Sequence, residues 1–221
     1  MFHWLEKNPF FFTVVLFVTV AFAGVIEALP QFAEKSRPAV GTKPYTILQL
    51  AGRHVYIKDS CNACHSQLIR PFKSETDRYG KYSISGEYAY DRPFLWGSKR
   101  TGPDLHRIGN YRTTDWHENH MWEPTSVVPG SIMPAYKHMF KNDADVETAY
   151  AEALTVKKVF GVPYDKPGMP KLGTLQDAEK EALDEAKKIA AQMKNADVKK
   201  AVEAGKIPEI VALIAYLNGM K

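Results

Sequence analysis

Cys61-Asn62-Ala63-Cys64-His65 decides how the rest of this chain is read, because it holds the only two cysteines in 221 residues. Two residues between the cysteines let both sulfurs reach the two vinyl positions on one edge of a porphyrin. The next residue, His65, is then directed under the iron, so the spacing is that of covalent c-type haem attachment. Two other chemistries use the same pair. A redox dithiol belongs in a βαβ setting, whereas the residues before Cys61 carry a helical pattern. A structural zinc site needs four ligands; His117 and His120 are available, but a second pair of cysteines is not. The expectation is one haem c, thioether-linked to Cys61 and Cys64, with His65 as an axial ligand.

Working outward, Tyr45 to Asp59 places Ile47, Leu48, Ala51, Val55 and Tyr56 at i, i+3 and i+4 spacings, which predicts a helix delivering the chain into Cys61. Residues 66–142 are rich in Gly, Pro, Trp, Tyr and Arg and read as mostly irregular. Helical patterns return over 143–160 and 174–204, the second with Leu183, Ala186, Ile189, Ala190 and Met193 on one face. A short apolar helix is expected over 207–218 with Pro208 in its first turn. The fold expected is mainly α.

Eighteen uncharged residues, Pro9 to Ile26, lie between Glu6-Lys7 and Glu27. Ala21-Phe22-Ala23 looks like a signal-peptidase site, but the apolar run continues past it and the charge before it is cancelled. We expect an uncleaved transmembrane anchor over 9–29, a cytoplasmic segment 1–8, a linker over 30–44 and a domain over 45–221. Lys35, Arg37 and Lys43 follow the apolar run, so the positive-inside rule leans towards a cytoplasmic domain. Covalent haem is attached outside the cytoplasm in bacteria, and that chemistry puts the domain in the periplasm, anchored to the inner membrane by one span in the lipid bilayer. Net charge is +4, with 17 Lys/Arg against 12 Asp/Glu over residues 1–142. No basic stretch is dense enough for a nucleic-acid footprint. The basic half carries the Cys-His motif, in keeping with a cofactor that brings two carboxylates.

Thr101-Gly102-Pro103-Asp104-Leu105 resembles the TGPxL segment of class I cytochromes c, and Leu213-Ile214-Ala215-Tyr216-Leu217 resembles their last helix. The resemblance implies that the Pro103 carbonyl accepts a hydrogen bond from His65. It also implies that the last helix crosses the helix before Cys61, with Gly52 and Tyr56 at the crossing. It calls for a methionine as sixth ligand, often in a Met-Pro pair. Two such pairs occur, Met133-Pro134 and Met169-Pro170. Met133 follows the aromatic sequence near the motif and is the expected ligand, with Met169 or a histidine as the alternatives. His117 and His120 read as polar residues at a haem edge or interface, His54 and His106 as ordinary surface or interface residues.

The run CNACHSQLIRPF, then RYGKYSISGEYAYDRPFLWGSKRTGPDL, then SVVPGSIMPAY, resembles the monohaem subunit of cbb-type cytochrome c oxidases, the C-type haem–copper oxygen reductases. The full architecture expected is therefore one N-terminal transmembrane helix plus a class I cytochrome c-like domain with long insertions, 143–205 being a helical insertion. The resemblance implies electron transfer, not catalysis. Electrons would come from another cytochrome c, a dihaem subunit or a soluble carrier. They would pass through this haem to the haem b of the catalytic haem–copper oxidase subunit, where oxygen is reduced. Arg70, Trp96, Gly97 and Ser98 fall in the segments that resemble the face towards that subunit, and a calcium ion is implied at the interface near Ser98. A free-standing anchored cytochrome shuttling between respiratory complexes, and a haem sensor or peroxidase, are the alternatives. The 35 residues between His65 and Thr101, dense in aromatics and arginines, fit a docking surface better than a shuttle.

Overall fold

A computed structural model describes residues 2–33, 38–97 and 99–220. It divides into two units, residues 1–37 and 38–221. In the first, α1 (Phe2–Lys7) is followed by α2 (Pro9–Ala33). Within α2, Pro9–Leu29 is 21 residues long and apolar enough to cross a membrane, about 32 Å at ~1.5 Å per residue. Thr13 and Thr19 return their hydroxyls to the carbonyls of Pro9 and Val15 at 2.9 and 2.7 Å, so neither leaves a donor exposed to lipid. The helix runs through Ala33, four residues into the stretch expected to be linker.

The second unit is helical, with no strand among its described residues. Helix α3 (Ile47–Lys58) starts at a reciprocal cap, Gln49 N–H to Thr46 Oγ1 (3.2 Å) and Thr46 N–H to Gln49 Oε1 (3.1 Å). That arrangement satisfies two of the donors a helix start leaves open. Then come α4 (Cys61–Cys64), α5 (Lys73–Tyr79), α6 (Thr114–Trp122), α7 (Pro124–Val127), α8 (Val146–Phe160), α9 (Leu175–Gln192), α10 (Ala196–Glu203) and α11 (Glu209–Gly219), with short 3-10 turns between. Pro208 stands at the N-cap of α11, not within its first turn.

The core is the crossing of α3 with α11. Every residue from Ile207 to Leu217 is buried. A Cβ on Gly52 would lie 1.9 Å from the carbonyl oxygen of Ala212, so the two backbones touch and only glycine fits. Tyr56 and Tyr216 meet edge to face at 5.6 Å beside this contact.

The expected helix over 174–204 is two helices. Asn195 ends the first pattern by capping α10, its side chain accepting from the N–H groups of Asp197 and Val198. Helix α9 buries Ala178, Ala182, Ala186 and Ala190, one small residue per turn. It packs on α3, α8 and α11. Residues 143–205 are thus built into the central core and do not form an appendage.

Candidate functional site

The C-terminal end of α3 fixes the motif. Asp59 caps α3, Ser60 turns the chain through a left-handed φ of 56°, and Cys61–Cys64 form a single helical turn closed by His65 N–H to the Cys61 carbonyl at 2.9 Å. Both cysteines are unpaired; Cys61 is buried and Cys64 exposed. Burial pushes the Cys61 thiol up to about 12. A redox dithiol works through a lowered thiol pKa, which Cys61 does not have.

His65 leaves the turn in extended backbone, and its Nδ1 lies 2.8 Å from the Pro103 carbonyl oxygen. A carbonyl only accepts, so Nδ1 carries the proton and Nε2 keeps its lone pair for a metal. Burial lowers the His65 pKa and favours the neutral ring that ligation needs. Gly102 closes the other side: a Cβ there would lie 2.2 Å from His65 Cε1. This donor set fits a haem, with two thiols on one turn and an imidazole whose outward nitrogen is free.

A polar brace that the sequence reading missed holds this arrangement. The Asp104 carboxylate accepts from Ser66 Oγ at 2.6 Å and from the Leu68 N–H at 2.8 Å through one oxygen, and from the His106 N–H at 2.9 Å through the other. Arg100 donates to Ser66 Oγ, the Leu68 carbonyl and Glu75. Glu75 also pairs with Arg70, whose backbone N–H it accepts at 2.8 Å. Hydrogen bonds from Arg100 and Arg70 hold the Glu75 carboxyl at about 2. The segment leaving His65 and the segment carrying Pro103 are thereby laced together. An acidic residue inside TGPDL was the available signal.

The Met133 segment is tethered beside the motif. Tyr136 N–H donates to the Met121 carbonyl on α6 at 2.8 Å. His138 Nε2 lies 3.2 Å from Asp59, two residues before Cys61. Met133 itself is half-buried against the core. The other Met-Pro pair lies elsewhere. Pro170 and Leu172 line one small cavity with Thr46 and Ile47, at the start of α3, whereas Cys61 follows its end. A 12-residue helix separates those places by about 18 Å.

Trp96 and Gly97 lie directly behind His65. The Gln67 N–H donates to the Trp96 carbonyl at 2.9 Å, and Gly97, at φ 67°, approaches Ser66 so closely that a Cβ would sit 3.2 Å from its Cα. The Trp96 ring stacks on Phe94 at 4.6 Å and 6°, and both rings remain exposed, at 38% and 49%. Arg70 is exposed beside Phe72, its guanidinium 5.4 Å from that ring. Ser98, to which the calcium expectation attaches, lies outside the described residues.

The remaining histidines divide. His106, expected at a surface or an interface, is buried within the domain and stacked on Tyr88 at 4.8 Å, because Asp104 and Ser83 draw it inward. His54 pairs with Glu152 between α3 and α8. His117 and His120 sit one turn apart on α6, each with a buried ring nitrogen that has no hydrogen-bond partner. Burial, first of all, lowers both to about 4.

Comparison with curated proteins finds no match. The family model described as "Cytochrome C oxidase, mono-heme subunit/FixO" matches residues 2–221, running through 143–205 as well as through the motif. The chain therefore belongs to the mono-haem subunit family of cytochrome c oxidase, FixO: an electron-transport subunit that carries a haem, works with an oxidase catalytic subunit and has, among the described residues, one apolar helix suited to cross the membrane.

Proposed function

We propose that this chain receives electrons from another cytochrome c and passes them, through one covalent haem c, to the haem b of the catalytic oxidase subunit, where oxygen is reduced. The soluble unit lies in the periplasm and α2 anchors it in the bacterial inner membrane. The observation that carries the reading is the pairing of His65 Nδ1 with the Pro103 carbonyl. It commits one ring nitrogen and leaves the other for iron directly after the Cys61–Cys64 turn.

The haem supplies a one-electron couple, and the chain's own residues set the conditions for it. Cys61 and Cys64 hold the cofactor by thioether bonds. Pro103 fixes the tautomer and direction of the His65 ring, and Gly102 leaves room for that ring. Met133 supplies the thioether, which raises the reduction potential relative to a second imidazole. Support for Met133 over Met169 is its tether beside Asp59 and α6, against the far end of α3 for the other loop. The His65 ring that would bind the iron is neutral and held by Pro103, so it would need to reorganise little when the electron moves. Trp96 and Gly97, with Arg70 nearby, form the face that docks on the catalytic subunit. The support is the exposed Phe94–Trp96 stack placed one hydrogen bond from the backbone that follows His65. Aromatic and arginine side chains are the types that dominate interface energetics.

Haem c staining of the chain after denaturing electrophoresis tests the thioethers, and colour that extracts fully into acid-acetone would refute them. Mild solubilisation of membranes tests the assignment. Haem b should co-purify with haem c, and a chain that purifies alone with full colour would favour a free-standing shuttle.

A further inference from the structure

We propose that His120 is a latent ligand of the haem pocket, an imidazole able to occupy the sixth position on the iron when the Met133 thioether is withdrawn. Buried polar atoms are almost always paired, and leaving one unpaired is costly. His117 Nε2 and His120 Nδ1 are both buried and unpaired. Two such nitrogens one helical turn apart, in a subunit whose family carries a haem, point to a group from outside the chain that completes at least one of them.

Three observations select His120. First, its ring is held in place: the Trp116 indole stacks on it at 4.5 Å and 22°, and the Arg112 guanidinium sits 4.5 Å over that indole. Second, the adjacent residue, Met121, gives its carbonyl to the Tyr136 N–H at 2.8 Å, so His120 stands where α6 is fastened to the loop that carries Met133. Third, a cation on His65 disfavours one on His120, whereas the charged groups acting on His117 are His120 and Arg112. His120 therefore lies on the turn of α6 that is fastened to the methionine loop, within electrostatic reach of His65. His117 is 1% exposed and has none of these links to His65 or the loop; it is the control.

The inference rests on the haem reading above, and the full-length holoprotein separates the two. Wild type should show the weak ferric band near ~695 nm that marks thioether ligation. If it is missing, the Met133 assignment fails and this inference with it. Met133→Leu should lose the band yet stay low-spin, because His120 takes the vacant position. The double variant Met133→Leu/His120→Leu should turn high-spin and, when reduced, bind carbon monoxide at least about tenfold more tightly than Met133→Leu alone. Met133→Leu/His117→Leu should behave like the single variant. A Met133→Leu protein that is already high-spin, and binds carbon monoxide as the double variant does, overturns the proposal. If Met133→Leu does not fold, wild type and His120→Leu are compared in mild guanidinium, which releases the thioether. A bis-imidazole ferric signal present in wild type and absent in His120→Leu supports the role; equal signals overturn it.

Discussion

Replacing Gly52 by alanine isolates the contact on which the domain is built. Helix propensity alone says the change should help, since alanine is favoured over glycine in a helix interior by about 1 kcal/mol. The tertiary contact says the opposite. The new Cβ would fall 1.9 Å from the Ala212 carbonyl oxygen, where ordinary contact begins at 3.4 Å, and both partners are backbone. No rotamer can relieve that clash, so α3 and α11 must part by most of the difference. Overpacking that displaces backbone costs about 3 kcal/mol, which leaves a net loss of about 2 kcal/mol after the propensity gain. For a domain of this size that lowers the melting midpoint by about 4–8 °C. The measurement is thermal unfolding of the full chain with its haem, followed by the Soret band and far-UV circular dichroism. An unchanged or raised midpoint would refute the backbone contact, because propensity would then be the only effect acting. Since α3 delivers the chain into Cys61, a parting of α3 and α11 should also broaden the ~695 nm band expected of a thioether-ligated haem.

Gly102→Ala places a Cβ 2.2 Å from His65 Cε1, so the imidazole must turn away from Pro103; we expect a lower potential and a weakened thioether band in redox titration, and unchanged values would refute the packing. Glu75, only 7% exposed along its side chain, has a folded-state pKa depressed from 4.5 to about 2, so its stabilisation is fully present above about pH 4.5 and is lost as pH falls towards 2. That amounts to on the order of 2 kcal/mol, and Glu75→Gln should flatten this part of the pH–stability curve; a variant that keeps the wild-type acid transition contradicts the brace. Trp96→Ala should leave the haem spectrum near normal while weakening association with the catalytic subunit by about 2 kcal/mol or more, measured by co-purification; intact assembly with an altered spectrum would make the loop a haem wall only.

Local chemistry written into the chain determined a good deal by itself. The Cys61-Asn62-Ala63-Cys64-His65 spacing, the uncharged run from Pro9, the helical period through Ile47–Tyr56 and the two Met-Pro pairs each depend on neighbours a few residues away, and such patterns can be read from sequence. The crossing at Gly52 was legible only through resemblance, and its tightness came from the structure. Other features needed distant segments to meet. Nothing local says that Asp104 will accept from Ser66 and Leu68, or that Glu75 will hold Arg100, because a carboxylate in a polar loop is ordinarily solvated. Nor does the Ala-rich period of α9 reveal which helices it will cover, since a small-residue face fits any close partner. His106 read as a surface or interface residue because its burial is created by Tyr88 and Asp104, which come against it only after folding. The distinction between Met133 and Met169 was likewise tertiary: identical dipeptides lie near opposite ends of α3, and that placement follows from how the helices pack, which no short stretch of sequence encodes.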